Sequence, residues 1–193
     1  IPAAGRTARV IGIVPGQLVT AALTAAVTAV AGMAVADPGR ALLKIAVIDR
    51  HHASEKVALG FVSGFWLKRG ALATSVAHDS HNIIVVGCTS AEMAKAAVAV
   101  VKAGGGMAVV EGDDTKALLK LPIAGLMSPL PLHEVAAANR ELCAAAARLG
   151  CGLPDPFMTL SFLALPVIPA LKLTDKGLVD VAQFALVPLF LES

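Results

Sequence analysis

The side chains best suited to chemistry are concentrated in two short histidine-bearing segments. Residues 49–52 read DRHH and residues 78–82 read HDSHN, and together they hold four of the five histidines. Each segment borders apolar runs of strand length, and sheet proteins commonly place ligand sites at the ends of such strands. Imidazole transfers protons near neutral pH and is a common metal ligand. These two segments are therefore the candidate site.

The second segment needs a turn if its histidines are to act together. On a regular strand His78 and His81 would point to opposite faces, because the side chains of a strand alternate. A turn through Asp79 and Ser80 could bring both imidazoles to one side, where Asp79 could orient one of them. The alternative is that both segments are hydrogen-bonded turns without a chemical role. The residues alone leave both interpretations open.

The histidine spacing does not match a known metal site. The sequence contains neither HxH nor HExxH, and it contains no nucleophile elbow. A free-standing metal hydrolase that uses His51, His52, His78 and His81 is therefore the least favoured interpretation, because a catalytic zinc-type site needs about three ligands in fixed geometry. We expect no metal to be bound by this chain alone.

Apolar runs predict the strands that must position these segments. The run at residues 42–49 is almost continuously apolar, which is typical of a strand buried on both faces. Two short strands are expected around the Ala31-Gly32 turn. Further strands are predicted at residues 9–20 (broken by Pro15-Gly16), 57–66, 71–77, 82–87, 107–110 and 116–121.

Three helices are predicted, at about 90–103, 131–149 and 156–165. Thr89 and Glu92 form a capping box for the first helix, and Asp155 followed by Pro156 begins the third. The glycines at 104–106 follow a helix, so they are interpreted as its end and not as a phosphate-binding loop. The predicted apolar faces are Met93, Ala94, Ala97, Val98 and Val101 on the first helix, and Leu132, Val135, Ala136, Leu142, Cys143, Ala146 and Leu149 on the second.

This order of elements predicts the fold class. We expect a single, sandwich-like α/β domain with a mixed β-sheet and packed helices.

Hydrophobic residues make up 56% of the chain and charged residues 16%, which excludes disorder. The net charge is +2 with few aromatic residues, so nucleic acid is not an expected partner. Residues 18–36 carry no charge but are rich in alanine, which argues against a membrane span. Cys88, Cys143 and Cys151 show no CxxC spacing and indicate buried thiols in a reducing compartment.

Five stretches of the sequence resemble one enzyme family over nearly the whole chain. They are IGIVPGQLVT (11–20), KIAVIDRHH (44–52), GFVSGFWLKRGALATSVAHDSHNIIVVG (60–87), LPIAGLMS (121–128) and GCGLPDPFMTLSFLALPVIPALKLTDKGLVDV (150–181). Together they are similar to the C-terminal part of microbial adenine deaminase, an amidohydrolase in which a metal-bearing barrel precedes this region.

The resemblance implies a function for the complete protein. It implies hydrolysis of adenine to hypoxanthine and ammonia in purine salvage, by a cytoplasmic enzyme that is a homo-oligomer. A divalent metal, Mn or Fe, would be bound mainly by the barrel, which these 193 residues lack. The chain would then cap or complete the active site, with its own barrel domain and a purine substrate as partners. The alternative is a non-catalytic structural or oligomerisation module of an amidohydrolase.

The site residues expected on this interpretation come from the two histidine segments. His78, Asp79 and His81 are the expected catalytic residues, and His51, His52, Ser80 and Asn82 the expected substrate-binding residues.

The chain departs from the family pattern at a few positions. Trp66 stands where glycine is usual after Phe65, and Ser54-Glu55 stands where a small residue followed by glycine is expected. Cys88-Thr89 replaces a more polar pair, and residues 21–36 are richer in alanine than expected. None of these departures touches the two histidine segments.

Overall fold

A computed structural model describes residues 1–52 and 56–191 of the chain. Eight strands form one mixed sheet in the order β10-β9-β7-β8-β5-β6-β1-β2, in which β1 and β6 run parallel and the other neighbours antiparallel. The strands of this sheet are β1 Thr7–Ile13, β2 Thr20–Ala26, β5 Leu42–Ile48, β6 Val57–Ser63, β7 Ala71–Thr74, β8 Ile83–Gly87, β9 Gly106–Glu111 and β10 Asp114–Lys120.

Smaller elements complete the architecture. A hairpin of β3 (Thr28–Val30) and β4 (Met33–Val35) turns at Ala31-Gly32, as predicted. A short 3-10 helix, Pro38–Arg40, precedes β5. A small sheet contains β11 (Leu171–Thr174), β12 (Gly177–Asp180) and β13 (Ala185–Leu186), and the helices are α1 (Ser90–Lys102), α2 (Leu132–Arg148) and α3 (Pro156–Phe162). The predicted fold class is confirmed.

The large sheet is covered on both faces, which explains its long apolar strands. Leu43, Ile45 and Val47 of β5 pack into the core that also contains residues of α2 and α3. Ala46, on the opposite face of β5, packs into a second core with the buried residues of α1. A strand buried on both sides must be apolar at successive positions. The near-continuous apolar run at 42–49 is therefore confirmed as a buried central strand.

The helix starts were predicted correctly, and the buried faces only in part. The Thr89 hydroxyl accepts from the Glu92 amide at 3.2 Å as an N-cap, but the Glu92 carboxylate accepts from the Thr89 hydroxyl and from the amides of Gly70 and Gly112, so the reciprocal half of the capping box does not form. On α1, however, Val98 and Val101 are exposed, and Ala96 and Val100 are buried in their place. This helix is apolar on most of its circumference, so its periodicity does not define one face. On α2 the predicted Leu132 is 84% exposed, because the buried residues lie in the C-terminal half of that helix.

Several predicted elements end earlier than their apolar runs. β6 ends at Ser63 and not at Trp66, because Gly64 and Trp66 adopt positive φ values of 115° and 63°. β7 ends at Thr74 and not at Ala77, so residues 75–82 form a loop. The third helix ends at Phe162 and not at Leu165. The backbone amides of Gly104 and Gly105 donate hydrogen bonds to the carbonyls of Val101 and Val100. These bonds close the end of α1, which confirms that the glycines end the helix.

Residues 18–36 carry no charge and contain strands β2, β3 and β4, one strand more than predicted. Among the helices in the described ranges, none is long and apolar enough to cross a membrane.

Candidate functional site

The two histidine segments meet at one end of the large sheet. β5 and β8 are antiparallel neighbours with Ile48 opposite Ile83, so the residues after β5 lie beside the residues before β8. The Arg50 amide donates to Oδ1 of Asn82 at 3.3 Å. The ring Nε2 of His51 lies 2.7 Å from the carbonyl oxygen of Ser80. The fold therefore joins residues that are about 30 positions apart in sequence.

The turn at residues 78–81 brings the two imidazoles together. The His81 amide donates to the carbonyl of Ala77 at 2.6 Å and closes the turn. The ring centroids of His78 and His81 are 5.8 Å apart in an edge-to-face arrangement. His78 also packs against Phe162 of α3, with ring centroids 4.6 Å apart, and its amide donates to the carbonyl of Ser161. The turn through Asp79 and Ser80 is thus present, and α3 supports it from behind.

His81 carries an unusual unsatisfied atom. Its Nδ1 is the one buried side-chain nitrogen or oxygen in the described part of the chain that lacks a hydrogen-bond partner. Burial lowers the pKa of His81, and the nearby charges of His78 and Arg50 lower it further. The ring is therefore neutral at neutral pH, and it can donate or accept at Nδ1 according to its tautomer. Buried polar atoms are nearly always paired in folded proteins, so an unpaired one calls for an explanation.

Arg50 belongs to this site, although the sequence interpretation passed over it. Its Nε donates to the carbonyl oxygen of His81, and its Nη2 donates to the carbonyl oxygen of Ala124 at 2.7 Å. It thereby links a third loop, residues 122–128, to the histidine turn. Arg50 stands between Asp49 and His51 in the same polar segment, and LPIAGLMS is one of the stretches that resemble the family. The position of Arg50 in the polar segment and the family resemblance of residues 121–128 could have identified the contact between Arg50 and this loop.

Ser75 fixes the third loop from the other side. Its hydroxyl donates to the carbonyl of Gly125 at 2.6 Å and accepts from the amide of Gly106 at 2.8 Å. Ser75 has no exposed surface. The loop that contacts Arg50 is therefore held by a buried hydrogen bond and not by surface contacts alone.

The remaining predicted residues occupy different surroundings. Asp79 is exposed, and no side-chain hydrogen bond within the described ranges joins it to either imidazole, so it does not orient a ring here. Asp79 and Ser80 line an open groove of about 570 Å³ with Asp175 and Lys176 of the β11–β12 turn. Asn82 is buried, and its amide oxygen already accepts from the Arg50 amide.

His52 lies apart from the other three histidines of these segments. Its ring Nδ1 is 3.2 Å from Oδ2 of Asp49, and its side chain is 81% exposed. His52 lines a second open cavity, of about 760 Å³, which also includes Asp175 and Lys176. The structure therefore brings His51, His78 and His81 together and places His52 at the margin.

The site can form hydrogen bonds and transfer protons, but it lacks the ligands for a metal ion. No group of three or more His, Cys, Asp or Glu side chains within residues 1–52 and 56–191 could hold one. The metal implied by the family resemblance does not fit the described residues of this chain.

The fold and the site define an α/β sheet domain whose loops present a histidine cluster at one end of the sheet. Residues 17–185 match the family model described as adenine deaminase C-terminal domain. The chain therefore belongs to this family, and the resemblance found in its sequence is confirmed.

Curated relatives named adenine deaminase match almost the whole chain. A protein of Desulfatibacillum aliphaticivorans is 53% identical over 190 residues, which are 98% of this chain and 33% of that protein. One from Methanothrix thermoacetophila is 51% identical over 192 residues, 100% of this chain and 34% of that protein. One from Oleidesulfovibrio alaskensis is 54% identical over 182 residues, which are 94% of this chain and 32% of that protein. The chain thus spans about a third of the length of these relatives.

Proposed function

We propose that this chain is the C-terminal domain of an adenine deaminase and that its histidine turn contacts the purine. The observation that carries the proposal is the buried, unpartnered Nδ1 of His81. A buried polar atom without a partner costs about 1–3 kcal/mol of stability. Such a cost is expected where a bound ligand supplies the missing bond once the turn shifts to uncover the atom, and the edge of a purine carries both donors and acceptors.

The chemistry of the two rings suits hydrolytic deamination. A neutral His81 can hydrogen-bond to the purine, since a neutral imidazole has one donor and one acceptor nitrogen. His78, whose ring centroid lies 5.8 Å from that of His81, would carry a proton toward the departing amine. Asp79 and Ser80 border the open groove beside the turn, where His51 binds the Ser80 carbonyl.

The rest of the proposal concerns the complete protein. Adenine would be hydrolysed at its exocyclic C–N bond to hypoxanthine and ammonia, and this domain would cap or complete the active site. Because the described residues provide no metal site, a divalent metal such as Mn or Fe would be held by the barrel. We also propose a cytoplasmic homo-oligomer that acts in purine salvage.

A second function, as a structural module of the same enzyme, is favoured by a different observation. Phe184 is 85% exposed and Val167 is 64% exposed, and both border the groove beside Asp79. Exposed apolar groups of this size mark interaction surfaces when they are clustered. On this alternative, the surface packs against the barrel or another subunit, and the histidine turn has no chemical role.

Kinetics of a full-length adenine deaminase carrying this domain decide between the two functions. His78→Ala and His81→Ala should each lower kcat about a hundredfold or more, the usual scale for a general acid or base. Melting temperature and metal content should stay near those of the parent. His133→Ala, which changes an exposed histidine of α2 outside the site, is the matched control. Near-normal kcat with a lowered melting temperature would favour the structural module.

A further inference from the structure

We propose that Arg50 is a positioning residue that holds His81 in the conformation required for purine contact. The inference rests on the proposed function and deepens it. Arg50 does not need to touch the substrate in this role, because it acts through the histidine turn.

Arg50 donates three hydrogen bonds within the site. Its backbone amide, its Nε and its Nη2 donate to three acceptors, in Asn82, His81 and Ala124 respectively. The acceptors lie in the segment before β8 and in the loop at 122–128. A planar guanidinium fixes the directions of its donors, whereas the ammonium of lysine carries three rotatable donors on one nitrogen at the end of a flexible stem. The arginine side chain therefore holds the two loops from two separate nitrogens in a fixed geometry.

The backbone of His81 adopts a positive φ. Its φ is +49°, in the left-handed region that residues other than glycine adopt uncommonly, although histidine does so more often than most. Such conformations persist where the surroundings hold them, and they are frequent at functional sites. The bond from Arg50 Nε to the His81 carbonyl fixes the peptide plane that follows this residue. The ring direction of His81 therefore depends on Arg50.

The neighbouring loop fits closely around the guanidinium. A Cβ atom placed on Gly125 would lie 2.7 Å from Nη1 of Arg50, closer than real side chains approach. Gly125 has a φ of +75° and is itself held by the Ser75 hydroxyl. The loop thus approaches the arginine at a distance that only glycine permits.

The charge of Arg50 acts on His81 as well. The groups that influence the His81 ring are His78, Arg50 and His51, which lower its pKa, and Asp79, which raises it, while burial lowers it most. Removal of the Arg50 charge should raise the pKa of His81. If the neutral ring is the active form, activity is lost as pH falls through this pKa, so the acid limb of the kcat profile should move to higher pH.

The test uses Arg50→Lys and Arg50→Ala in a full-length adenine deaminase carrying this domain. Both variants should lower kcat by about a hundredfold, the scale expected for a misplacement of about 1 Å, with a smaller change in KM. The acid limb of the pH profile should move upward in Arg50→Ala and less in Arg50→Lys, which retains the charge. The control is Arg69→Lys. Arg69 pairs with Glu111 and donates to the Arg148 carbonyl at the opposite end of β7, so its variant should keep the parental kcat.

The outcomes separate this proposal from the proposed function. If His81→Ala is impaired but both Arg50 variants have the parental kcat and acid limb, the role of Arg50 is refuted and the function stands. If His81→Ala itself is normal, the proposed function fails. Loss of folded protein in both Arg50 variants, or an unchanged acid limb in Arg50→Ala, would make the arginine a structural residue and would overturn the inference.

Discussion

The ammonium group of Lys172 offers a quantitative test of how the core behind the histidine turn is built. Lys172 lies on β11 and has no exposed surface. Its Nζ donates to the carbonyl oxygens of Leu18 at 2.9 Å and Phe162 at 3.1 Å. Burial lowers the pKa of Lys172 to about 8. Because the Phe162 ring supports His78, this lysine is close to the candidate site.

The shift converts directly into a dependence of stability on pH. An unperturbed lysine has a pKa of about 10.4, and each unit of difference corresponds to about 1.4 kcal/mol. Between pH 8 and about 10.4 the unfolded chain binds the proton of Lys172 and the folded chain has largely lost it. The contribution of Lys172 to the free energy of unfolding therefore rises with pH in this window, by about 3 kcal/mol in total.

Lys172→Met removes this contribution, so the comparison of variant and parent isolates it from other titrating groups. The free energy of unfolding of the variant relative to the parent should fall by about 3 kcal/mol as pH rises from 7 to 10.5. The assay is urea unfolding of the chain at pH values from 7 to 10.5. Lys102→Met, at an exposed position of α1, controls for the loss of one positive charge. A difference between Lys172→Met and parent that does not change with pH would refute the reasoning.

Two further predictions follow from local contacts. The Asp155 carboxylate accepts from the Met158 amide at 3.0 Å, so Asp155→Ala should lower the free energy of unfolding by about 1 kcal/mol in a denaturant titration. A collapse of activity in the complete enzyme at an unchanged melting temperature would instead place Asp155 in the site. Burial raises the pKa of Cys88 to about 11, so its thiol should react far more slowly with iodoacetamide at pH 7.5 than the thiols of the urea-unfolded chain. Labelling of native Cys88 at the unfolded rate, located by mass spectrometry, would contradict this.

Local sequence signals predicted the parts of the fold that local interactions determine. The N-caps at Thr89 and Asp155 depend on residues three positions apart, and both are present. The strand at 42–49 is apolar because both of its faces are covered, and this too is visible in its composition. The turn at 78–81 was foreseen because two histidines cannot share one face of a strand at that spacing.

Other features depend on contacts that no local pattern contains. The ends of β6 and β7 are set by backbone conformation and by loop hydrogen bonds, while the apolar runs continue beyond both strands. Trp66 illustrates this: its φ of +63° is a conformation natural to glycine, yet this chain carries tryptophan. Arg50 and Ala124 are 74 positions apart in sequence, so no local pattern could predict that their loops would meet. Nothing in the sequence specified that His81, and not His78, would have the unpartnered nitrogen.

The most direct test of the central claim is a crystal structure of a full-length adenine deaminase carrying this domain, with a purine bound. The decisive quantity is the distance from Nδ1 of His81 to the nearest purine nitrogen. We predict a hydrogen bond of about 2.7–3.2 Å, which would satisfy the one buried side-chain nitrogen or oxygen that is unpaired in the described part of the chain. A purine held by barrel residues alone, with His81 out of hydrogen-bond range, would contradict the account.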